Sequence, residues 1–186
     1  MDVEFDTTEA DARREKLAQY LSPKALAIAG SRAANRAATA ARAEGARAIR
    51  GDLALKVGDI RKRMTIERAT TTDITAKIEL DGNPIPMSTF NPGQRSYGVS
   101  VRMKKSAGRK RIEGAFIIKR YDGEVFVRRY GDDGEQVGRG PLLMLYGPSI
   151  RSQFDRAQPA MEAKAAETIG KRVPAEIDRQ IKRANR

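Results

Sequence analysis

The chain has 186 residues and carries 36 Lys and Arg against 24 Asp and Glu, a net charge of +12. That length suits one domain with its own core, and the cationic surplus favours an anionic partner, either nucleic acid or an acidic protein surface. Histidine and cysteine are both absent, which excludes disulfides, thiolate nucleophiles, imidazole bases and the common zinc sites.

Residues 1–22 read as an acidic N-terminal arm. Asp2 to Phe5 forms a short strand or a loose arm, and Thr8 caps a helix from Glu9 to about Tyr20 that buries Leu17 and Leu21. Neither a basic leader with an apolar core nor an apolar run of the roughly 20 residues a membrane span needs is present, so the expectation is assembly in a cytoplasm and no membrane partner.

Ser22-Pro23 supplies an N-cap followed by proline at the first helical position. Between Ser22 and Gly51 stand twelve Ala and five Arg, with Glu44 the only acid. At 100° per residue Ala34, Ala37, Ala41, Gly45, Ala48 and Ile49 share one side, and Arg32, Arg36, Arg47 and Arg50 cluster opposite. The small-residue side allows close approach of a neighbouring helix and is the candidate subunit interface. The arginines are candidate contacts for DNA or an acidic partner, against the simpler reading of a solvated face. Gly51-Asp52 interrupts the pattern, and Leu53, Val57, Ile60 and Met64 continue it into a second helix ending in Arg61-Lys62-Arg63.

From Thr65 the residues become β-branched and alternating. Ile74 to Leu80, Gly98 to Met103, Ile112 to Lys119 and Glu124 to Tyr130 read as strands, and residues 83–97, with Pro84, Pro86 and Pro92, read as an irregular loop. Ile117 to Tyr130 forms a hairpin through Tyr121-Asp122-Gly123. Arg102, Lys104, Lys105, Arg109, Lys110 and Arg111 surround Ser106-Ala107-Gly108 as a basic hairpin tip. Exposed cations on such a tip grip phosphates or simply keep the surface solvated. Asp122, Glu124, Asp132, Asp133 and Glu135 gather at two turns, where Asp beside Gly is ordinary turn chemistry and calcium-loop spacing is absent. Gly138-Arg139-Gly140 lacks the remainder of a nucleotide fingerprint. No metal ligand set, catalytic constellation or cofactor is expected.

Pro141 precedes Leu142-Leu143-Met144-Leu145-Tyr146, whose Leu143 and Leu145 are further candidates for burial against a neighbouring subunit. Gly147-Pro148-Ser149 then caps a helix running towards Gly170 on Ile150, Phe154, Ala157, Met161 and Ala165, with a kink expected at Pro159. A turn-rich stretch at Val173-Pro174 leads into a basic helix holding Ile177 and Ile181. The expected fold class is therefore α+β: long N-terminal helices over 23–64, one mainly antiparallel sheet of four to five strands over 65–147, and C-terminal helices over 148–186. Residues 23–186 make a single domain behind the arm.

Three passages resemble the Z-type minor tail proteins of lambda-like phages with long non-contractile tails, also called tail-completion proteins. They are Ala33-Ala34-Asn35-Arg36-Ala37-Ala38 leading to Ile60-Arg61-Lys62-Arg63-Met64 and Glu67-Arg68-Ala69-Thr70; the basic loop Lys104 to Arg111 before Ile112-Glu113-Gly114-Ala115-Phe116-Ile117; and Glu124-Val125-Phe126-Val127-Arg128-Arg129 before a helix holding Phe154. The likeness spans roughly residues 25–160 and leaves the arm unmatched. It implies a non-enzymatic subunit of a ring, commonly sixfold in related families, at the head-proximal end of the virion tail. Its implied partners are copies of itself, a tail terminator or tail tube protein, head-connector proteins and the packaged DNA end. A nonspecific nucleic-acid-binding protein using the helix arginines and the 102–111 loop is the competing reading.

Overall fold

The computed structural model describes residues 21–128 and 141–184. Three expectations therefore lie outside the described residues: the arm, the acidic turn at Asp132-Asp133, and Gly138-Arg139-Gly140. The chain is α+β. Helix α1 (Pro23–Asp52) and the short α2 (Val57–Lys62) lead into strands β1 (Met64–Glu67), β2 (Lys77–Leu80), β3 (Gly93–Arg95), β4 (Gly98–Val101), β5 (Lys110–Glu113), β6 (Phe116–Ile118), β7 (Glu124–Arg128) and β8 (Leu142–Met144), and α3 (Arg151–Ala184) follows. The strands make three small sheets, β1-β2, β3-β4-β5 and β6-β7-β8, where a single sheet was expected. Gly114, at φ 67°, breaks the expected 112–119 strand into β5 and β6, and each half pairs with a different partner.

Two compact units emerge. One takes residues up to Ala41, Ile66–Ile78 and the chain from Met161; the other takes Arg42–Thr65 and Glu79–Ala160. Their cores differ in kind. Every large, fully buried side chain, from Phe90, Ile49 and Leu53 to Val99, Val101 and Val125, belongs to the second unit. Among the described residues, the first unit buries Leu21, Met161, six alanines from Ala29 to Ala69, and the polar Ser31, Glu176 and Gln180. Small side chains remove little apolar area from water at about 25 cal/mol per Å², so this unit gains far less from burial than the second.

Ser22 starts α1 as expected, its Oγ and carbonyl both accepting the Ala25 amide. The buried row of the helix differs from the expected stripe. Ala29, Ala33, Ala37, Ala41, Gly45, Ile49 and Leu53 are all buried, a strict four-residue repeat. Four residues turn a helix by about 400°, so the row creeps about 40° around the axis at each step instead of holding one face. Ala38 and Ala46 join it, Ala34 is half-buried and Ala48 is exposed. In the first unit Asn35 clamps the segment after β1: its Nδ2 donates to the Ala69 carbonyl at 2.9 Å, and its Oδ1 accepts the Ala69 amide at 2.9 Å. In the second unit the Lys105 amide donates to the Asp52 carbonyl at 2.9 Å and the Ala54 amide to the Met103 carbonyl at 3.0 Å, which fixes the end of α1.

In the second unit β4 is buried along its whole length between β3 and β5, with Val99 opposite Ile112 and Val101 opposite Lys110. The expected 117–130 hairpin is present as β6 and β7, Ile117 opposite Val125. Its turn places Asp122 at φ 48° and Gly123 at φ 75°, the left-handed conformations that Asp and Gly tolerate. Strand β3 lies inside the proline-rich segment expected to be irregular, and β1 begins at Met64, where helix was expected.

The C-terminal region is one helix. It runs unbroken through Pro159, Gly170 and Pro174, so the turn-rich segment expected at Val173-Pro174 is helical. An interior proline costs about 3 kcal/mol, and the helix survives because its buried stripe continues on both sides. Ile150, Ala157 and Met161 are buried before Gly170, and Glu176 and Gln180 after it. Glu167 accepts from Lys164 at 2.7 Å and from Lys171 at 2.6 Å. Those two bonds pull its carboxyl down to about 2 from the usual 4.5. A depressed folded-state pKa contributes stability that is fully present above about 4.5 and lost as pH falls through about 2. Carboxyl NMR titration should place the Glu167 midpoint near 2, and the K164Q/K171Q variant should return it towards 4.5. A wild-type midpoint already at the usual value would remove the ammonium contacts from the account.

Candidate functional site

The surfaces that can act on a partner are cationic or apolar. The basic finger is the tip of the β4–β5 hairpin, residues 102–109, and the structure spends part of its charge internally. Arg109 donates through Nε to Ser100 Oγ at 2.8 Å and through Nη2 to the Ser100 carbonyl at 2.6 Å and the Asn91 carbonyl at 3.3 Å. Arg102 donates to the Lys105 carbonyl. Arg111 stacks 4.0 Å from the Tyr97 ring centre and lies 3.9 Å from Glu113. Lys104, Lys105 and Lys110 are exposed and have no ion pair among the described residues. The finger is thus a braced hairpin presenting three ammonium groups.

The four arginines of α1 do not form one track. Arg32 and Arg36 belong to the first unit, Arg47 and Arg50 to the second. Arg47 is paired with Glu44 at 2.6 Å, and Arg50 is exposed. Arg42, absent from the expected set, turns inward and donates to the Met64 carbonyl at 3.4 Å.

Within the first unit Arg32 and Arg36 line a cavity of about 780 Å³ together with Arg68, Glu176, Arg179 and Arg183. Glu176 is 8% exposed. Its Oε1 lies 3.4 Å from Arg179 Nη1, and its Oε2, which accepts no hydrogen bond, lies 3.6 Å from Arg32 Nη1. Arg68, Arg179 and Arg183 were not anticipated. Glu176, Arg179 and Arg183 stand at helical spacings of three and four, a signal hidden because Pro174 makes that stretch read as turn.

Of the candidate interface residues, Ala37, Ala41 and Gly45 are buried in the chain's own fold, while Ala34 is half-buried and Ala48 open to solvent. Leu143 on β8 is 45% exposed and its neighbour Leu142 40%, whereas Leu145 turns inward. The Leu145 amide donates to Val125 and its carbonyl accepts from Met87. Tyr146 and Tyr121 are exposed in the same unit. Strand β8 is terminal in its sheet, and Leu142 and Leu143 stand opposite Arg128 and Val127 of β7. Exposed apolar side chains grouped on an edge strand are an association surface in search of a cover.

Among the described residues no group of three or more acidic side chains could hold a metal ion, and Asp122 serves its hairpin turn. No described helix is long and apolar enough to cross a membrane. No curated protein and no solved structure matches the chain. The family model of prophage minor tail protein Z (GPZ) matches residues 15–186. That match takes in both units, the basic finger and the helix that carries the arginine cavity, and so the chain belongs to the prophage minor tail protein Z family, structural components of the phage tail.

Proposed function

We propose that this protein completes the tail as a ring of identical subunits, sixfold by the family resemblance, at the head-proximal end where tail and head join. It works by surface complementarity and makes or breaks no bond. The observation that carries this reading is the exposed apolar edge at Leu142, Leu143 and Tyr146, on a unit whose other large apolar side chains are well buried. A subunit contact that covers this edge removes it from water and satisfies the outer side of β8. The first unit supports the same reading, because its small-residue core gains little stability alone while Ile74 and Ile169 stay exposed. The head-side and tail-side partners are a connector protein and a tail terminator or tube protein, and the ammonium groups of the finger face the DNA end or an acidic ring.

The L142E/L143E double variant tests this, since both side chains point to solvent in the isolated subunit and folding should survive. Expected are a ring for wild type by light scattering, a monomer with unchanged circular dichroism for the variant, and loss of infectivity by about a hundredfold or more when the variant replaces the wild-type gene. A hundredfold loss corresponds to about 2.7 kcal/mol per contact set, within reach of an interface hot spot. Wild-type protein that stays monomeric alone and in finished particles would refute the ring.

A further inference from the structure

We infer that the arginine cavity of the first unit is a phosphate-binding site, in which Arg36, Arg68 and Arg183 hold one phosphate group of a nucleic-acid backbone or of free phosphate. This does not rest on the ring, because every lining residue belongs to a single unit of a single chain.

Five guanidiniums and one carboxylate line the cavity, a formal balance of +4. The carboxylate does not neutralise the arginines evenly. Glu176 engages Arg32 and Arg179, whereas Arg36, Arg68 and Arg183 make no hydrogen bond or ion pair with any described residue. These three come from three separate elements: α1, the segment after β1, and the last turn of α3. Mutual repulsion would drive three unpaired guanidiniums apart into water, and the backbone fixes their stems around one concavity instead. Asn35, which also lines the cavity, helps to fix them, since its two bonds to Ala69 hold the residue next to Arg68 against α1. On the same helix face, one turn beyond Glu176, Gln180 is 6% exposed and its amide nitrogen has no acceptor. That is a second sign that the polar interior of this unit lacks an oxyanion.

The shape of the donor set selects the ligand. A carboxylate offers two oxygens in one plane and is satisfied by one or two guanidinium forks, as Glu176 already shows in this cavity. A phosphate is tetrahedral and accepts charge-assisted bonds from several directions at once, which suits arginines arriving from three elements.

The test uses the full chain with inorganic phosphate and with a DNA duplex of about 20 base pairs as probes, following arginine Nε–Hε resonances and duplex anisotropy across salt. The Arg36, Arg68 and Arg183 signals should move first with phosphate. If duplex competes with phosphate for those signals, the source is a backbone; if phosphate binds and duplex does not compete, the source is free phosphate. Both outcomes support the site. For a backbone source, R36Q/R68Q/R183Q should weaken duplex binding at least tenfold and reduce the slope of log affinity against log salt by about 2 to 3, one for each lost phosphate contact. Glu176→Gln, which removes the cavity's own anion, should tighten phosphate binding by about threefold or more, a gain that a purely structural arginine cluster would not give. Should the triple variant melt early, R68Q alone carries the comparison, because Arg68 is exposed, lies outside every strand and helix, and has no internal partner. The inference fails if phosphate moves none of the three signals, if R68Q and the triple variant bind like wild type, or if a polyglutamate peptide occupies the cavity while phosphate and duplex do not.

Discussion

Gly98→Ala should destabilise the second unit by about 3 kcal/mol or more, read as a lower urea midpoint together with loss of the β4–β5 pairing. Two independent causes act at this position. Gly98 sits at φ +137°, a region closed to residues with a Cβ. A Cβ built there would also lie 2.2 Å from the Ile112 carbonyl oxygen and 3.0 Å from the Gly114 nitrogen. Both are backbone atoms, so no side-chain rotation relieves the overlap. The damage should spread to the finger, since Gly98 opens the strand whose far end, Val101, pairs with Lys110 at the base of the basic tip. Gly170→Ala provides the contrast. Gly170 is mid-helix with nothing within 4 Å of a new Cβ, so alanine there should raise stability by about 1 kcal/mol through helix propensity. Equal midpoints for Gly98→Ala and wild type would defeat the account of this corner.

Ala46→Leu should cost roughly 1 to 3 kcal/mol, and Ala48→Leu close to nothing in the isolated subunit. The two alanines are two residues apart on α1, yet Ala46 is 0% exposed and Ala48 is open to solvent. Leucine at Ala46 has no space and must push Ile49, Leu53 or their neighbours out of their rotamers. At Ala48 the added atoms reach water. Thermal melts of both variants check this, and a melting point for Ala46→Leu within a degree of wild type would mean the seam is loose. Ala48→Leu has a second use. If Ala48 contributes to the subunit contact, ring formation should fail in a variant whose monomer is as stable as wild type.

These positions also show where pattern reading works and where it stops. The helix start at Ser22-Pro23, the 117–130 hairpin and the basic tip were legible because each is set by residues within a few positions: a cap, an Asp-Gly turn, a run of cations between two β-branched segments. The face of α1 was not. An alanine-rich sequence gives equally apolar sides, so Ala33, Ala38 and Ala46 cannot be told from Ala34 and Ala48 until partners choose among them. Local rules also misled at Pro174 and at Pro84 to Pro92. A single proline ends a helix only when the stretch beyond it has nothing to bury, and Glu176 and Gln180 are buried there. Gly93 to Arg95 becomes a strand because β4 offers it a ladder.

By itself the sequence determined the α+β class, the two basic blocks, the missing imidazole and thiol chemistry, and the order of short motifs that resembles the tail protein family. All of these follow from composition or from neighbours along the chain. Only the tertiary structure decided that the strands divide into three sheets, that Arg109 is spent inside its own hairpin while Lys104, Lys105 and Lys110 are presented, and that Arg36, Arg68 and Arg183 meet at one cavity. Those outcomes join residues tens to more than a hundred positions apart. They are set by which surfaces find burial and which charges find partners, and no local spacing encodes that choice.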